Sequence, residues 1–328
     1  MKARIYSPTP ANLRRLVAAL RRGELLAFPT ETVYGLAAHA LDARACRAIF
    51  QAKGRPTNDP LIVHVLDLAH AEELAEFNDA ARKLARRFWP GPLTLVLPKK
   101  PCVPGIVTAG RNTVAIRSPA HPLARRLLRL SGLPLAAPSA NTFGYISPTT
   151  AAHVFDGLGG KIPHILDGGS CRVGVESTIL DLTNPARPKI LRPGAITTEM
   201  LEKFLGRPVA RAAQNRNRIK KAAGLLAPGM LPQHYSPHTP LVIKSPWTKL
   251  PPQVAGIFLR KPAGSVAKNA YWLSDRAVLV DMARNLYRVL RQADEGHHRQ
   301  IWIEALPDDS GGLAAAINDR LQRAATKR

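Results

Sequence analysis

The stretch from residue 28 to residue 64 constrains the fold of this chain more than any other part of the sequence. The apolar run at 25–28 is short enough to be a buried strand, and Pro29 stops it. A hydroxyl-rich loop, a helical pattern through Phe50 and a second apolar run at 61–64 follow. This order predicts an α/β sheet in which polar residues at the strand ends surround one crevice.

Two cations lie on the loop that ends the helical pattern. Lys53 and Arg55 are two residues apart, so a lysine point charge and an arginine fork can converge on one phosphate. Ser139 and Asn141 follow a later apolar run, where a hydroxyl and an amide can bind phosphate oxygens or a nucleoside. Taken alone, the second pair is better explained by ordinary turn chemistry. Each pair alone is therefore weak support for a phosphate site.

Four other polar residues each have an ordinary structural explanation. His64 and Ser177 lie in apolar strand patterns, which is typical of satisfied core residues. Arg117 ends a strand pattern and Arg192 precedes a proline, as surface cations often do. The functional alternative is a site for an anionic, polar substrate, because the strand ends of one sheet can bring such side chains together.

Alternating strand and helix patterns extend the α/β prediction along the chain. A helix is predicted at about 71–88, and strands are predicted at 93–97, 113–117, 133–137, 165–166 and 175–180. Residues 210–240 are rich in cations and lack a regular apolar period, which predicts a linker between a first domain, 1–209, and a second, 241–328. In the second domain we expect strands at 241–243, 256–259 and 301–303 and helices at 278–294 and 313–325.

The charge balance predicts affinity for polyanions. The chain carries 47 Lys and Arg against 23 Asp and Glu, a formal net charge of +24. Arginines that simply cover solvated helix faces are the structural alternative. Under either interpretation we expect salt-sensitive, non-specific affinity for nucleic acid, with a Kd on the order of 10⁻⁴ to 10⁻⁶ M.

Cysteine usage and hydropathy indicate the cellular setting. Cys46, Cys102 and Cys171 lie far apart, with no second ligand at metal-binding spacing, so no protein-held metal site is predicted. This usage favours a reducing, cytoplasmic environment. No apolar run approaches the roughly 18 residues that a spanning helix needs, so no membrane partner is expected.

Eight short motifs occur in a fixed order: PTETVYGL, KGRP, PLIVH, TVAIR, APSAN, GVESTI, LRPG and HYSP. Together they resemble the YrdC family of L-threonylcarbamoyladenylate synthases, in the long form that adds a linker and a C-terminal domain. The resemblance implies a twisted mixed-sheet, YrdC-like N-terminal domain and a smaller, Rossmann-like three-layer α/β/α C-terminal domain.

The same resemblance implies a reaction. L-threonine, bicarbonate or carbon dioxide, and ATP would be joined to threonylcarbamoyl-AMP with release of pyrophosphate, the first step of N6-threonylcarbamoyladenosine formation in tRNA. A separate transferase complex would use the product. Mg²⁺ would arrive with ATP, because the sequence has no dedicated metal cage.

The resemblance also assigns site residues. The implied threonine site consists of Thr32, His64, Arg117, the Ala137 backbone and Ser177. The implied nucleotide site consists of Lys53, Arg55, Asp59, Thr113, Ser139, Asn141, Ser147, Arg192 and, from the linker, Tyr235. Lys53 and Arg55 would also be the catalytic cations, because they would neutralise charge that develops on phosphate. The linker segment from about residue 214 to Tyr235 would close over the nucleotide and exclude water.

Two functions from other classes remain as alternatives. A carbamoyl-transfer module on the same fold would need zinc-finger segments, and this chain has no CxxC pair. A non-catalytic RNA-binding protein would explain the charge, but it would leave His64, Arg117 and Ser177 without a role.

Overall fold

The computed structural model describes residues 2–212, 225–229, 234–244, 247, 249–264, 266–307 and 311–326. Within these ranges the strands form two sheets, one of eleven strands and one of four. The segment expected to close over the nucleotide lies largely outside the described residues, as do its cations Arg216, Arg218, Lys220 and Lys221. No helix of the described residues is long and apolar enough to cross a membrane.

The large sheet mixes parallel and antiparallel pairs in the order β1-β8-β2-β3-β7-β4-β6-β5-β9-β10-β11. Its strands are β1 Arg4–Tyr6, β2 Leu26–Phe28, β3 Gly35–His39, β4 Ile62–His64, β5 Leu93–Pro98, β6 Thr113–Arg117, β7 Leu135–Ala136, β8 His164–Leu166, β9 Thr178–Asp181, β10 Lys189–Arg192 and β11 Ala210–Arg211. The helices among them are α1 Pro10–Arg21, α2 Ala43–Lys53, α3 Leu68–Glu72, α4 Asp79–Phe88, α5 Pro122–Ser131, α6 Ala151–Leu158 and α7 Thr198–Leu205.

The two faces of this sheet are covered differently, and the difference positions the cavity described below. On one face, an apolar cluster joins α2, α4 and α6 to alternate residues of the strands, such as Leu36, Val63 and Ile116. On the other face, α1 and α5 cover the part that contains β1, β8, β2, β3 and β7. The neighbouring strands continue this face with small and branched residues, among them Ile62 and Ala115, and the segment 225–229 lies over them.

The structure corrects two of the predicted elements. The predicted path from the first strand through a loop into a helical pattern that begins near Gly35 is wrong, because Gly35–His39 forms β3, which pairs antiparallel with β2. The single helix predicted at 71–88 is divided into α3 and α4. Asn78 caps the second helix by accepting a hydrogen bond from the Ala81 N–H, which favours a new helix start at that point.

The C-terminal sheet is parallel throughout, in the order β12-β15-β13-β14. Its strands are β12 Leu241–Lys244, β13 Val254–Arg260, β14 Ala270–Ser274 and β15 Gln300–Glu304, and its helices are α8 Leu279–Glu295 and α9 Gly312–Ala324. The predicted α/β fold class with a mixed first sheet is confirmed, and both predicted helices are present. Strand β14 was not predicted.

The predicted three-layer arrangement holds for one face of the C-terminal sheet. Both helices contact each other and share one apolar cluster with Ile257 and Ile301. On the opposite face, among the described residues, Trp247 packs against Phe258 and Trp302 instead of a helix. The connections before β13 and before β14 are short, which leaves little room for the crossover helix that a parallel pair usually has.

Candidate functional site

A cavity lies over the large sheet where the helical layer of α1 and α5 stops. It holds about 490 Å³ of empty space when the open solvent at its mouth is counted. Ile62 and His64 both line it, and residues two apart on a strand share one face. The cavity therefore lies on the sheet face as well as beside strand ends, where the crevice was predicted.

Arg117 occupies one end of the cavity. Its guanidinium is buried, and it donates hydrogen bonds to the Glu31 carboxylate at 2.6 Å, to the Thr32 hydroxyl at 3.0 Å and to the Gly91 carbonyl at 3.2 Å. The other Glu31 oxygen accepts from the Ala120 N–H. These contacts use three of the five N–H groups of Arg117, so a ligand carboxylate can still be bound by the rest.

His64 lies beside Arg117 because β4 and β6 pair in parallel with these two residues in register. Its ring contacts the edge of the Phe28 ring, with the centroids 6.0 Å apart. Burial, together with the nearby Arg117 charge, lowers the pKa of His64 from 6.5 to about 3. The imidazole is therefore neutral at physiological pH and adds no charge to this end of the cavity.

Arg55 lies at the opposite end, directly after the left-handed Gly54 that caps α2. It donates to the Asp59 and Pro60 carbonyls and forms an ion pair of 3.0 Å with the Asp59 carboxylate. Burial raises the pKa of Asp59, although Arg55 opposes that effect. The arginine is thus held by its own loop, with its position fixed before any ligand binds.

Lys53 lies behind this end of the cavity. Its ammonium donates to the carbonyls of Ser139 and Asn141, at 2.7 and 2.5 Å. Burial and the neighbouring Arg55 lower the pKa of Lys53 well below its usual value. The Ser139 hydroxyl donates to the Asn141 side chain at 2.5 Å, so the two motifs predicted to bind phosphate form one connected unit.

Arg192 and Ser177 join the two ends. Arg192 donates to both the carbonyl and the hydroxyl of Ser177, each at 3.1 Å, and the Ser177 hydroxyl also bonds to Thr94 at 2.8 Å. Tyr235 covers this region with a buried ring, and its hydroxyl has no hydrogen-bond partner among the described residues. Tyr235 adopts a φ of 64°, an unusual conformation for a bulky residue.

The structure brings nine of the predicted residues to the cavity wall: Thr32, Arg55, His64, Arg117, Ala137, Ser139, Ser177, Arg192 and Tyr235. Lys53, Asp59 and Asn141 lie one contact behind that wall. Ser147 bonds to Glu176, which does line the cavity. Thr113 begins β6 and is therefore separated from Arg117 by the length of that strand, about 13 Å.

Comparison with known proteins identifies the family. Residues 18–194 match the Sua5/YciO/YrdC family described as telomere recombination, and residues 196–326 match the family described as threonylcarbamoyl-AMP synthase, C-terminal domain. The threonylcarbamoyl-AMP synthase of Pyrococcus abyssi is 42% identical over 323 residues, covering 95% of this chain and 93% of its own. That of Bacillus subtilis is 42% identical over 333 residues, covering 97% and 94%.

A solved structure agrees with these sequences. The crystal structure of P. abyssi Sua5 complexed with L-threonine superposes with a TM-score of 0.87 at 38% identity, covering 98% of both chains. This chain belongs to the threonylcarbamoyl-AMP synthase family. The family membership confirms the predicted resemblance, fold class and enzyme class.

Sequence reasoning missed three buried titratable residues at this site. Glu176 and His234 line the cavity, and Glu31 lies behind its wall, where it accepts a hydrogen bond from Arg117. The motifs PTET and VEST place the two acids close to the buried strands β2 and β9, so a search for buried carboxylates in need of a cation would have found them. Their cations, Arg117 and Arg320, lie 86 and 144 residues away in the chain.

Proposed function

We propose that this chain synthesises L-threonylcarbamoyl-AMP from L-threonine, bicarbonate or carbon dioxide, and ATP, in the cavity described above, with release of pyrophosphate. The single observation that supports this most is the cavity's division into a charge-balanced end and a cationic end, in a chain of the threonylcarbamoyl-AMP synthase family. One end suits a zwitterion and the other a polyphosphate.

Threonine is proposed to bind at the Arg117 end. The N–H groups of Arg117 that Glu31 and Thr32 leave available form a charge-assisted pair with the substrate carboxylate. Neutral His64 and the Ala137 backbone border the same space, and the Thr32 and Ser177 hydroxyls suit the polar groups of threonine. Because His64 is uncharged, threonine can enter as a zwitterion without repulsion between its ammonium and the imidazole. The amine must then lose its proton before it attacks carbon dioxide.

ATP is proposed to bind at the opposite end. Arg55 and Arg192 line the wall with Ser139, and Lys53 lies one contact behind them. A bound polyphosphate favours the ammonium form of Lys53, which burial disfavours in the empty site. The rest of this site would consist of Asp59, Asn141 and Ser147, which support the wall from behind, and Thr113 at its far edge. Tyr235 would cover the nucleotide.

The chemistry needs no covalent enzyme intermediate. The carbamate formed from threonine and carbon dioxide attacks the α-phosphorus of ATP, and pyrophosphate leaves. The cationic end neutralises the charge that develops on phosphate, and the buried walls hold the two reactants together. The two carboxylates at this end are already paired, Asp59 with Arg55 and Glu176 with Arg320, so Mg²⁺ is proposed to enter with ATP instead of being held by a protein cage.

Three proposals concern events beyond the cavity. The product would pass to a separate transferase complex that modifies tRNA. The net charge of +24 supports a weak, salt-sensitive affinity for nucleic acid. A cytoplasmic location is proposed because the three cysteines lie far apart in the sequence, as is typical of a reducing environment.

The decisive experiment is incubation with ATP, threonine and bicarbonate, followed by measurement of pyrophosphate and of a threonylcarbamoyl adduct by mass spectrometry. We expect pyrophosphate release that requires both threonine and bicarbonate. Release of ADP and phosphate, or a rate indifferent to bicarbonate, would contradict the proposal. Nucleic-acid binding without pyrophosphate release would favour the non-catalytic alternative.

A further inference from the structure

Helix α8 of the C-terminal domain lies along the loops that form one wall of the cavity. Its residues Ala283, Tyr287, Arg291 and Asp294 follow a spacing of four, four and three, which places them on one face. From these positions Tyr287 donates to Glu176, Arg291 donates to the Ile146 carbonyl at 2.6 Å, and Asp294 accepts from the Tyr145 hydroxyl at 2.8 Å.

The approach of this helix is close at Gly174. A Cβ atom at this glycine would lie 2.4 Å from the Ala283 carbonyl oxygen and 2.4 Å from the Arg284 Cα. Any side chain there would push α8 away from the 174–177 segment. The helix therefore supports the backbone directly before Ser177.

Glu176 is the centre of this contact. Its carboxylate is 6% exposed and accepts hydrogen bonds from the Ser147 hydroxyl at 2.7 Å, from the Tyr287 hydroxyl at 2.9 Å and from Arg320 Nε at 2.7 Å. Arg320, from α9, is 1% exposed. Two residues of the C-terminal domain thus bind an acid in the cavity wall of the N-terminal domain.

Arg320 also contacts Pro193 and Tyr235, which lie beside Glu176. Its NH2 group donates to the Pro193 carbonyl at 3.0 Å, directly after Arg192. Its guanidinium carbon lies 5.2 Å from the centroid of the Tyr235 ring, which stacks on the Tyr287 ring at 5.7 Å. One buried arginine therefore contacts Glu176, Tyr235 and the residue that follows Arg192.

We infer that Arg320 and Tyr287 are positioning residues for the reaction: they hold the Glu176 carboxylate away from Arg192, so that Arg192 stays on Ser177 and faces the nucleotide. The C-terminal domain is, on this view, part of the substrate site. Without Arg320, Glu176 would be a buried carboxylate lacking its cation, and Arg192 is the next cation on the same wall. Burial of an unpaired charge is costly, so a new Glu176–Arg192 pair would form.

This inference rests on the proposed function, because it assigns Arg192 to ATP. The test is Arg320→Met, which keeps an unbranched apolar stem and removes the guanidinium with its charge. The variant is assayed by pyrophosphate release with ATP and threonine varied separately. We expect the KM for ATP to rise at least tenfold while the KM for threonine stays within about threefold. An unchanged KM for ATP would overturn the inference.

A second change separates positioning from simple domain docking. In the double variant Glu176→Gln and Arg320→Met, no unpaired carboxylate is left to attract Arg192, so most of the lost ATP affinity should return. Arg291→Met is the matched control. Arg291 is also a buried arginine between the two domains, but its side chain donates to the Ile146 carbonyl instead of to Glu176. Equal losses in Arg320→Met and Arg291→Met, or a double variant no better than Arg320→Met, would contradict the inference.

Tyr287→Phe provides a milder test if Arg320→Met does not fold. It removes one hydroxyl from Glu176 and should raise the KM for ATP about threefold, whereas Tyr271→Phe, in the same domain but away from the cavity, should not. An equal KM for the two tyrosine variants would contradict the inference. Absence of bicarbonate-dependent pyrophosphate release from the unaltered chain would instead reject the proposed function.

Discussion

The two ends of the cavity differ in how their charges are balanced. At one end, Arg117 is paired with Glu31 at 2.6 Å and the neighbouring His64 is neutral. At the other, Arg55 and Arg192 line the wall with Lys53 behind them. The carboxylates there are Asp59, paired with Arg55, and Glu176, paired with Arg320, so Arg192 leaves an excess of positive charge. Both ends are buried and both use arginine, so the difference lies in the acids around them. A balanced end suits a zwitterionic amino acid, and a cationic end attracts a polyphosphate.

The largest effect is expected at the cationic end. Lys53→Ala and Arg55→Ala each remove a fixed cation from the region where phosphate charge develops, and loss of one such group commonly costs about 10²- to 10³-fold in kcat. We expect losses of this size in steady-state pyrophosphate release. The affinity for threonine, measured calorimetrically without ATP, should remain within about twofold. Comparable losses of threonine affinity would mean that the two ends are not separate.

Arg117→Ala should have the converse effect, and a somewhat smaller one. A charge-assisted hydrogen bond is worth about 1.5–3 kcal/mol, so threonine affinity should fall roughly tenfold to 150-fold. Glu31 also loses its cation, so Arg117→Ala is paired with the double variant Glu31→Gln and Arg117→Ala, which removes the unpaired acid. If Arg117→Ala retains threonine affinity within about twofold, threonine binds elsewhere.

The neutral state of His64 predicts a pH dependence of stability. Folding lowers its pKa from 6.5 to about 3, so the unfolded chain binds more protons between these values. The free energy of unfolding therefore falls as the pH falls through this window, by about 2 kcal/mol from this residue between pH 7 and pH 5. Urea unfolding at both pH values would measure it.

His64→Gln should remove the part of the fall in unfolding free energy that comes from His64. The control is His70→Gln, at a partly exposed position on α3, which should leave that part in place. His153 and His234, whose pKa values are also lowered by burial, should keep some pH dependence in both variants. Identical pH dependence in His64→Gln and the unaltered chain would show that His64 is not held neutral.

The sequence predicted the cations of the cavity better than it predicted what surrounds them. Arg55, Arg117 and Arg192 were found because short motifs place them at strand ends and loops. Glu31 and Glu176 were not found, because an acid in a loop becomes significant only when a distant arginine is folded against it. Local patterns cannot show such pairs, since the partner of Glu176 comes from another domain.

The errors in secondary structure have a similar origin. Gly35–His39 contains small residues and little β-branching, so its sequence favours no strand, and its pairing with β2 and β7 decides the outcome. The third layer expected in the C-terminal domain depended on resemblance alone. The two helices of that domain were predicted well because their apolar periodicity is strong over three or more turns.

The smallest expected effect concerns how far the cationic end extends. Thr113 was assigned to the nucleotide, yet it lies at the start of β6, about 13 Å from Arg117 and away from the cavity wall. A nucleotide is long enough to reach this strand end if its base points away from the threonine site. A single neutral hydrogen bond is worth about 0.5–1.5 kcal/mol, so Thr113→Ala should raise the KM for ATP roughly twofold to tenfold and leave the KM for threonine unchanged.

Thr108→Ala is the matched control, because the Thr108 hydroxyl bonds to the Arg111 carbonyl in the loop that leads into β6. A rise in the KM for ATP in Thr113→Ala alone would show that the nucleotide site extends along β6. Equal rises in both variants would reflect a disturbed loop and would remove Thr113 from the site.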